Sequence, residues 1–356
     1  MSGQLNHYGL KVHRFGAKAP PWTSHGLKAA VLKVRSFDYN ALRALKRAGT
    51  VKMTKRAGLW CVVGVLTALM SVARPVEAQS RVESNVIYGM YSGLALLMDV
   101  YHPADPNGYG IVLIQGSGWT APMGYDSGQL KEAGPLDGLI ATVLAEAGYT
   151  VFSANHRQVP GFHYPDPVED VQRAVRFVRH HASEFGIDPV RIGAIGGSSG
   201  AHLVSLLGVL DGEGDPDDPS PVNRESAKVQ CVVAMAGLFD LARVRGFGAP
   251  VVATFMGLSV LFAGPKSIES RRYAQASPVT HVSADDPPFL LQSGAEDLIT
   301  TAEQAQLMEA ALKKADVPVR LEIIPGFGHV AEMNEEKRRA SLGKAIEWFG
   351  RYLPGP

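Results

Sequence analysis

Cysteine is almost missing from this chain: two thiols in 356 residues exclude the disulfide scaffold that staples small secreted domains. Cys61 lies in an apolar stretch near the N-terminus, where the bulky Trp60 occupies the place a lipidated cysteine reserves for a small residue. Cys231 sits in the apolar run VQCVVAMA at 229–236 and is expected to pack as a small hydrophobe. No internal repeat or low-complexity tract is present, and 46% hydrophobic residues exclude disorder and collagen. Long apolar runs are scarce too. The longest covers residues 57–73, short of the ~20 residues a membrane-spanning helix needs.

What the chain does have is an uneven distribution of charge. Residues 1–56 hold 12 Lys or Arg against the single acid Asp38, with no helical or strand period. Lys55 and Arg56, the apolar run 57–73 and then Val76, Glu77 and Ala78 have the order of a secretory leader: basic segment, apolar segment, small-residue cleavage site. Met53 stands where such a leader begins. We therefore read residues 1–52 as an upstream extension, unstructured or from a misplaced start, and 53–78 as a signal peptide cleaved after Ala78. Residues 79–356 are the folded domain. An uncleaved anchor is the alternative, disfavoured by the length of the apolar run. The portion after Ala78 carries 22 Lys or Arg against 32 Asp or Glu, which argues against nucleic acid or an anionic membrane as partner. The expectation is a secreted or periplasmic protein with no stable membrane association after cleavage.

Within 79–356, short β-branched runs alternate with longer segments of helical period, the pattern of a parallel sheet wrapped by helices. The runs predict strands at 94–101, 110–115, 150–154, 191–195, 229–235, 288–292 and 319–324, and helices at 129–147, 166–185, 199–210, 301–315 and 332–352. Several strands are almost wholly apolar, as when both sheet faces are covered. Residues 211–228, rich in Asp, Pro, Gly and Ser, read as a surface loop. Residues 237–277 have no slot in the sheet and read as an insertion that either caps a pocket or covers a sheet edge.

The sharpest chemical signal is RIGAIGGSSGAHL at 191–203, a strand running into Gly196-Gly197-Ser198-Ser199-Gly200 and then a helix. This is G-x-S-x-G in a strand–turn–helix setting, where glycines two residues either side of Ser198 let strand and helix approach. Ser199 is a rival nucleophile, but it puts the glycine frame out of register. A serine that attacks an acyl carbon needs a base in hydrogen-bond reach and a carboxylate to orient the base. Asp297 ends LLQSGAED at 290–297 and His329 ends EIIPGFGH at 322–329. Both follow strands, on the rim where open α/β sheets hold their sites. Glu296 is the substitute acid. The other histidines, His180, His181 and His202 among them, fall in helical stretches and read as surface or packing groups. Backbone donors for an oxyanion are expected from Ser199 and from the loop QGSGW at 115–119, through Ser117 and Gly118.

From about residue 86 onward the chain resembles the bacterial carboxylesterases of the α/β-hydrolase superfamily, especially the feruloyl and acetylxylan esterase-like branch related to hormone-sensitive lipases. The resemblance rests on DVYHP at 99–103, QGSGW at 115–119, NHR at 155–157, FGIDP at 185–189, GGSSGAHL at 196–203, ASP at 276–278, PPFL at 287–290 and PGFGH at 325–329. It implies a mostly parallel eight-stranded sheet with helices on both faces and a small cap insertion at 237–277. It also implies a triad of Ser198, Asp297 and His329. The family's loop usually reads HGGGW, so this chain departs from it at Gln115 and Ser117. Asp170 matches a carboxylate in the helix before the elbow and reads as structural.

The expected activity is a two-step acyl transfer on small or polysaccharide-linked esters, with no metal or organic cofactor. Two other readings stay open. One is a serine peptidase of the prolyl-oligopeptidase type, whose N-terminal propeller is not supplied by residues 79–89. The other is a catalytically silent binding protein of the same fold.

Overall fold

The computed structural model describes residues 80–120, 137–246, 248–258, 267–329 and 334–354. The extension, the leader and Cys61 lie outside the described residues, as do parts of the expected helices at 129–147 and 332–352 and of the insertion.

Eight strands form one sheet: β1 (Arg81–Tyr91), β2 (Leu94–His102), β3 (Gly110–Ile114), β4 (Thr150–Ala154), β5 (Ile192–Gly197), β6 (Val232–Met235), β7 (Phe289–Gly294) and β8 (Val319–Ile324). Their spatial order is β1-β2-β4-β3-β5-β6-β7-β8. β1 with β2 and β2 with β4 pair antiparallel; the rest of the sheet is parallel. β3, β4, β5, β6 and β7 are buried at every residue, which is what helices on both faces require. Alternation decides the two sides. Ile111 and Leu113 of β3 face a layer with Ile140, Leu144, Leu342 and Phe349, from α1 (Asp137–Glu146) and α8 (Glu335–Tyr352). Val112 and Ile114 lie in the opposite layer with Val171, Val175, Leu203 and Met308, from α2 (Asp166–His180), α4 (Ser199–Val209) and α7 (Ala302–Lys314).

Two elements differ from the sequence reading. β1 has no predicted counterpart, because it is an edge strand in which only Tyr88 is buried, so no apolar alternation marks it. The helix expected over 166–185 stops at His180 and is followed by the short α3 (Ala182–Phe185), closed by Gly186 in the left-handed conformation at φ 68°. Asp170 is structural, as expected. Its carboxylate takes Arg157 Nε at 2.9 Å and the Arg157 N–H at 2.6 Å, fastening the loop after β4 to α2. The guanidinium is itself buried, reaches Asp166 and Glu169, and stacks 4.0 Å over the Tyr91 ring. Cys231 is a buried free thiol, and burial pushes its pKa up.

Candidate active site

Because β3, β5, β7 and β8 run parallel, the loops leaving their C-terminal ends gather on one rim. β5 ends at Gly197, and Ser198 follows with φ 53° and ψ −120°, a conformation L-residues seldom adopt. The turn is held by its neighbours: Ser198 N–H donates to Met235 O at 2.8 Å, and Ser198 O accepts from His202 N–H at 3.2 Å. The flanking glycines are required by contact. A Cβ at Gly196 would lie 2.5 Å from Gly200 C, and one at Gly200 would lie 2.1 Å from Ile114 O. That frame centres on Ser198. Ser199 is buried as the first residue of α4, so the rival is set aside by geometry.

The expected partners form a hydrogen-bonded chain that starts at Ser198. His329 Nε2 stands 2.9 Å from Ser198 Oγ, and His329 Nδ1 stands 2.8 Å from Asp297 Oδ2. Nδ1–H donating to the carboxylate leaves the Nε2 lone pair facing the hydroxyl, so the serine can pass its proton to the ring as its oxygen attacks an acyl carbon. Asp297 is buried and accepts three further bonds. Ile299 N–H and Thr300 N–H reach Oδ1 at 2.8 and 2.9 Å, and the Thr300 hydroxyl reaches Oδ2 at 2.6 Å. Burial alone would raise this carboxyl's pKa, but the bonds from His329 and Thr300 together hold it below the ordinary value. Glu296, the substitute acid, is exposed, and its N–H is spent on Phe327 O at 2.7 Å. Thr300 is the functional neighbour the sequence reading missed; no motif announces a threonine three residues after an acid.

The oxyanion loop requires one correction. Ser117 N–H donates to Ser199 Oγ at 3.0 Å, so this amide fastens the loop to the start of α4 and is not turned toward an incoming oxygen. Ser199 N–H, at the first turn of α4, has no carbonyl within its own helix, and Gly118 takes φ 65°. The two departures from HGGGW have local explanations. Ser117 is the latch residue, and Gln115 is buried with its side-chain amide on Ser153 Oγ at 3.1 Å, away from the reacting atoms. Trp119 is fully buried, stacked 4.2 Å from Phe255 and edge-on to His202 at 5.1 Å.

That stacking locates part of the 237–277 insertion. α5 (Gly248–Phe255) packs on the loop, with Val251 Cγ1 3.0 Å from where a Gly118 Cβ would stand, while Gly248 abuts Ile299 O. The second helix of the insertion, α6 (Ser267–Gln275), ties back through Arg272 to Met256 O at 3.1 Å. His180, His181 and His202 are surface or packing groups, as read, whereas His102 lies in β2 and His156 and His163 lie in loops. His180 and His181 lie toward the surface beside Glu225 and Glu184. His202 is buried with Nε2 on Ala276 O at 2.7 Å, and burial pushes its pKa down to about 4, so it stays neutral. Among the described residues, no group of three or more His, Cys, Asp or Glu side chains is gathered as metal ligands would be. No helix among them is long and apolar enough to cross a membrane.

An open, mostly parallel sheet with a strained serine on the turn after β5, an acid after β7 and a histidine after β8 defines the α/β-hydrolase fold. Residues 98–312 match the protein family described as BD-FAE, and the chain belongs to that family. It is 33% identical over 275 residues to a protein of Mycobacterium tuberculosis named probable carboxylic ester hydrolase LipM, covering 75% of this chain and 60% of that one. It is 26% identical over 292 residues to the esterase LipQ of the same organism, covering 80% and 65%. The chain thus spans under two thirds of the length of these relatives. Among solved structures, a truncated carbohydrate esterase from gut microbiota superposes with a TM-score of 0.63 at 24% identity, over 78% of this chain and 97% of that one, which shows the shared fold.

Proposed function

We propose that this protein is a secreted serine carboxylic-ester hydrolase that works through an acyl-enzyme. The observation that carries the reading is the unbroken hydrogen-bond path from Ser198 Oγ through the His329 ring to Asp297, at 2.9 and 2.8 Å. Ser198 attacks the ester carbonyl while its proton moves to His329 Nε2, and Asp297 stabilises the imidazolium. The charge on the carbonyl oxygen falls against the N–H groups of Ser199 and Gly118, at the positive end of α4. His329 then protonates the departing alkoxide, and the alcohol leaves. A water gives a proton to His329 as it attacks the acyl-enzyme, and the carboxylic acid is released with Ser198 restored. The esterase names of the relatives and the carbohydrate esterase among the structural neighbours support small or carbohydrate-linked esters as the substrate class.

A fluorophosphonate probe tests the reading without knowledge of the natural ester. We expect one adduct per chain, on the Ser198 peptide, located by tandem mass spectrometry of the digested protein. Absence of labelling, or labelling that survives Ser198→Ala, would remove the serine mechanism.

Secretion rests on the leader pattern at 53–78. Expression of the full chain in a host with an active secretion pathway is expected to yield a product beginning at Gln79. N-terminal sequencing of the exported protein checks it, and an exported product that keeps residues 53–78 would count against cleavage.

A further inference from the structure

Thr300 occupies a place at the site that no part of the mechanism above uses. It is 1% exposed, and its hydroxyl lies between the two groups whose mutual orientation matters, 2.6 Å from Asp297 Oδ2 and 3.3 Å from His329 Nδ1. The two carboxylate oxygens are held in different ways. Oδ1 takes backbone N–H groups from Ile299 and Thr300. Among the described residues, Oδ2 takes only side chains, the Thr300 hydroxyl and the His329 ring. Among the described residues, Oδ2 therefore has no backbone tether of its own.

The proton inventory fixes the direction of each bond. Oδ2 of an ionised carboxylate only accepts, so the threonine proton points to Oδ2 and a lone pair of the same hydroxyl turns toward Nδ1. Nδ1–H then faces two oxygens, the carboxylate at 2.8 Å and the hydroxyl at 3.3 Å. The opposite tautomer, with a bare Nδ1, would set three acceptors against one another with a single hydroxyl proton to share.

On the reading that Ser198, His329 and Asp297 carry ester hydrolysis, we infer that Thr300 is a positioning residue that sets the tautomer of His329 and tempers the charge on Asp297 Oδ2. A threonine serves because its methyl can pack in the buried site while its hydroxyl both donates and accepts. Among the described residues, the charged group acting on Asp297 is His329 itself. Glu296 beside it is exposed, and Lys337 lies over the Phe327 ring two residues before the histidine.

Removing the hydroxyl has a predictable sign. Without its donor, Oδ2 keeps more negative charge and attracts the imidazolium more strongly. The acidic limb of kcat/KM, which reports the base in the free enzyme, moves to higher pH. The test is Thr300→Val and Thr300→Ser in the full chain, with p-nitrophenyl acetate as substrate and Ser198→Ala alongside. Thr300→Val is expected to lose about tenfold in kcat with little change in KM, the size of a charge-assisted hydrogen bond at its lower end. Its acidic limb should stand at higher pH than that of the wild type. Thr300→Ser is expected to retain the wild-type limb and most of kcat. If Thr300→Val aggregates, Thr300→Ala carries the same expectation. An active wild type whose limb is unmoved in the hydroxyl-free variants, or a serine variant that behaves as valine does, overturns the inference alone. A wild type as inert as Ser198→Ala overturns the hydrolase reading and the inference with it.

Discussion

Ser198→Ala is expected to abolish ester hydrolysis, with kcat on p-nitrophenyl acetate falling by about a millionfold, the loss seen when the nucleophile of a triad hydrolase is removed. The size follows from what one atom does here. Oγ is the attacking group, and no second oxygen can take its place, since Ser199 Oγ is buried and already accepts the Ser117 N–H. Ser199→Ala in parallel separates the two serines. It removes one neutral hydrogen bond to a loop amide, worth about 1 kcal/mol, and is expected to lose no more than about tenfold. The Ser198 variant should melt where the wild type does, because alanine keeps the Cβ and inherits the same φ of 53°. Single-turnover kinetics with active-site titration measures the first effect and calorimetry the second. Substantial turnover by Ser198→Ala, or a Ser199→Ala loss as large, would sink the assignment.

The parts legible in the sequence were those written in contiguous residues. G-x-S-x-G after an apolar strand announces its own turn, and the structure explains why in distances: the glycines at 196 and 200 stand where a Cβ would meet backbone. Asp297 and His329 were legible because the fold orders acid and base after successive strands. The central strands read as apolar runs because both their faces are covered. β1 was not legible, because its burial is confined to Tyr88 and its register shifts twice against β2. The place of Ser117 is not legible, because loop sequence alone does not say which amide turns outward. The bond that answers the question joins residues 82 positions apart. Thr300 went unread for a related reason: its meaning lies in two hydrogen bonds across the site and in no local pattern.

Asp297→Asn tests the orientation of the histidine, and its expected effect is nearly as large, about 10⁴-fold in kcat. The hydrogen bonds around residue 297 dictate how the amide must sit. Ile299 N–H and Thr300 N–H both point at the Oδ1 position, so the asparagine carbonyl is drawn there and its NH2 group is left at the Oδ2 position. An NH2 facing His329 Nδ1 turns that nitrogen into an acceptor and moves the ring proton to Nε2, 2.9 Å from Ser198 Oγ. The lone pair that should receive the serine proton is then occupied, and the serine is no longer activated, although every heavy atom stays close to its place. Glu296→Gln, one residue away, is expected to leave kcat unchanged because that side chain is exposed. Stability adds an independent readout. The folded Asp297 carboxyl is held below its ordinary pKa, so it stabilises the fold above the usual carboxylate range and loses that contribution as pH falls through its lowered value. The asparagine variant should therefore lose less melting temperature than the wild type between pH 5 and about pH 3. An Asp297→Asn enzyme that keeps wild-type kcat, or a Glu296→Gln enzyme that loses it, would move the acid to the neighbouring residue and undo the geometry on which the mechanism is built.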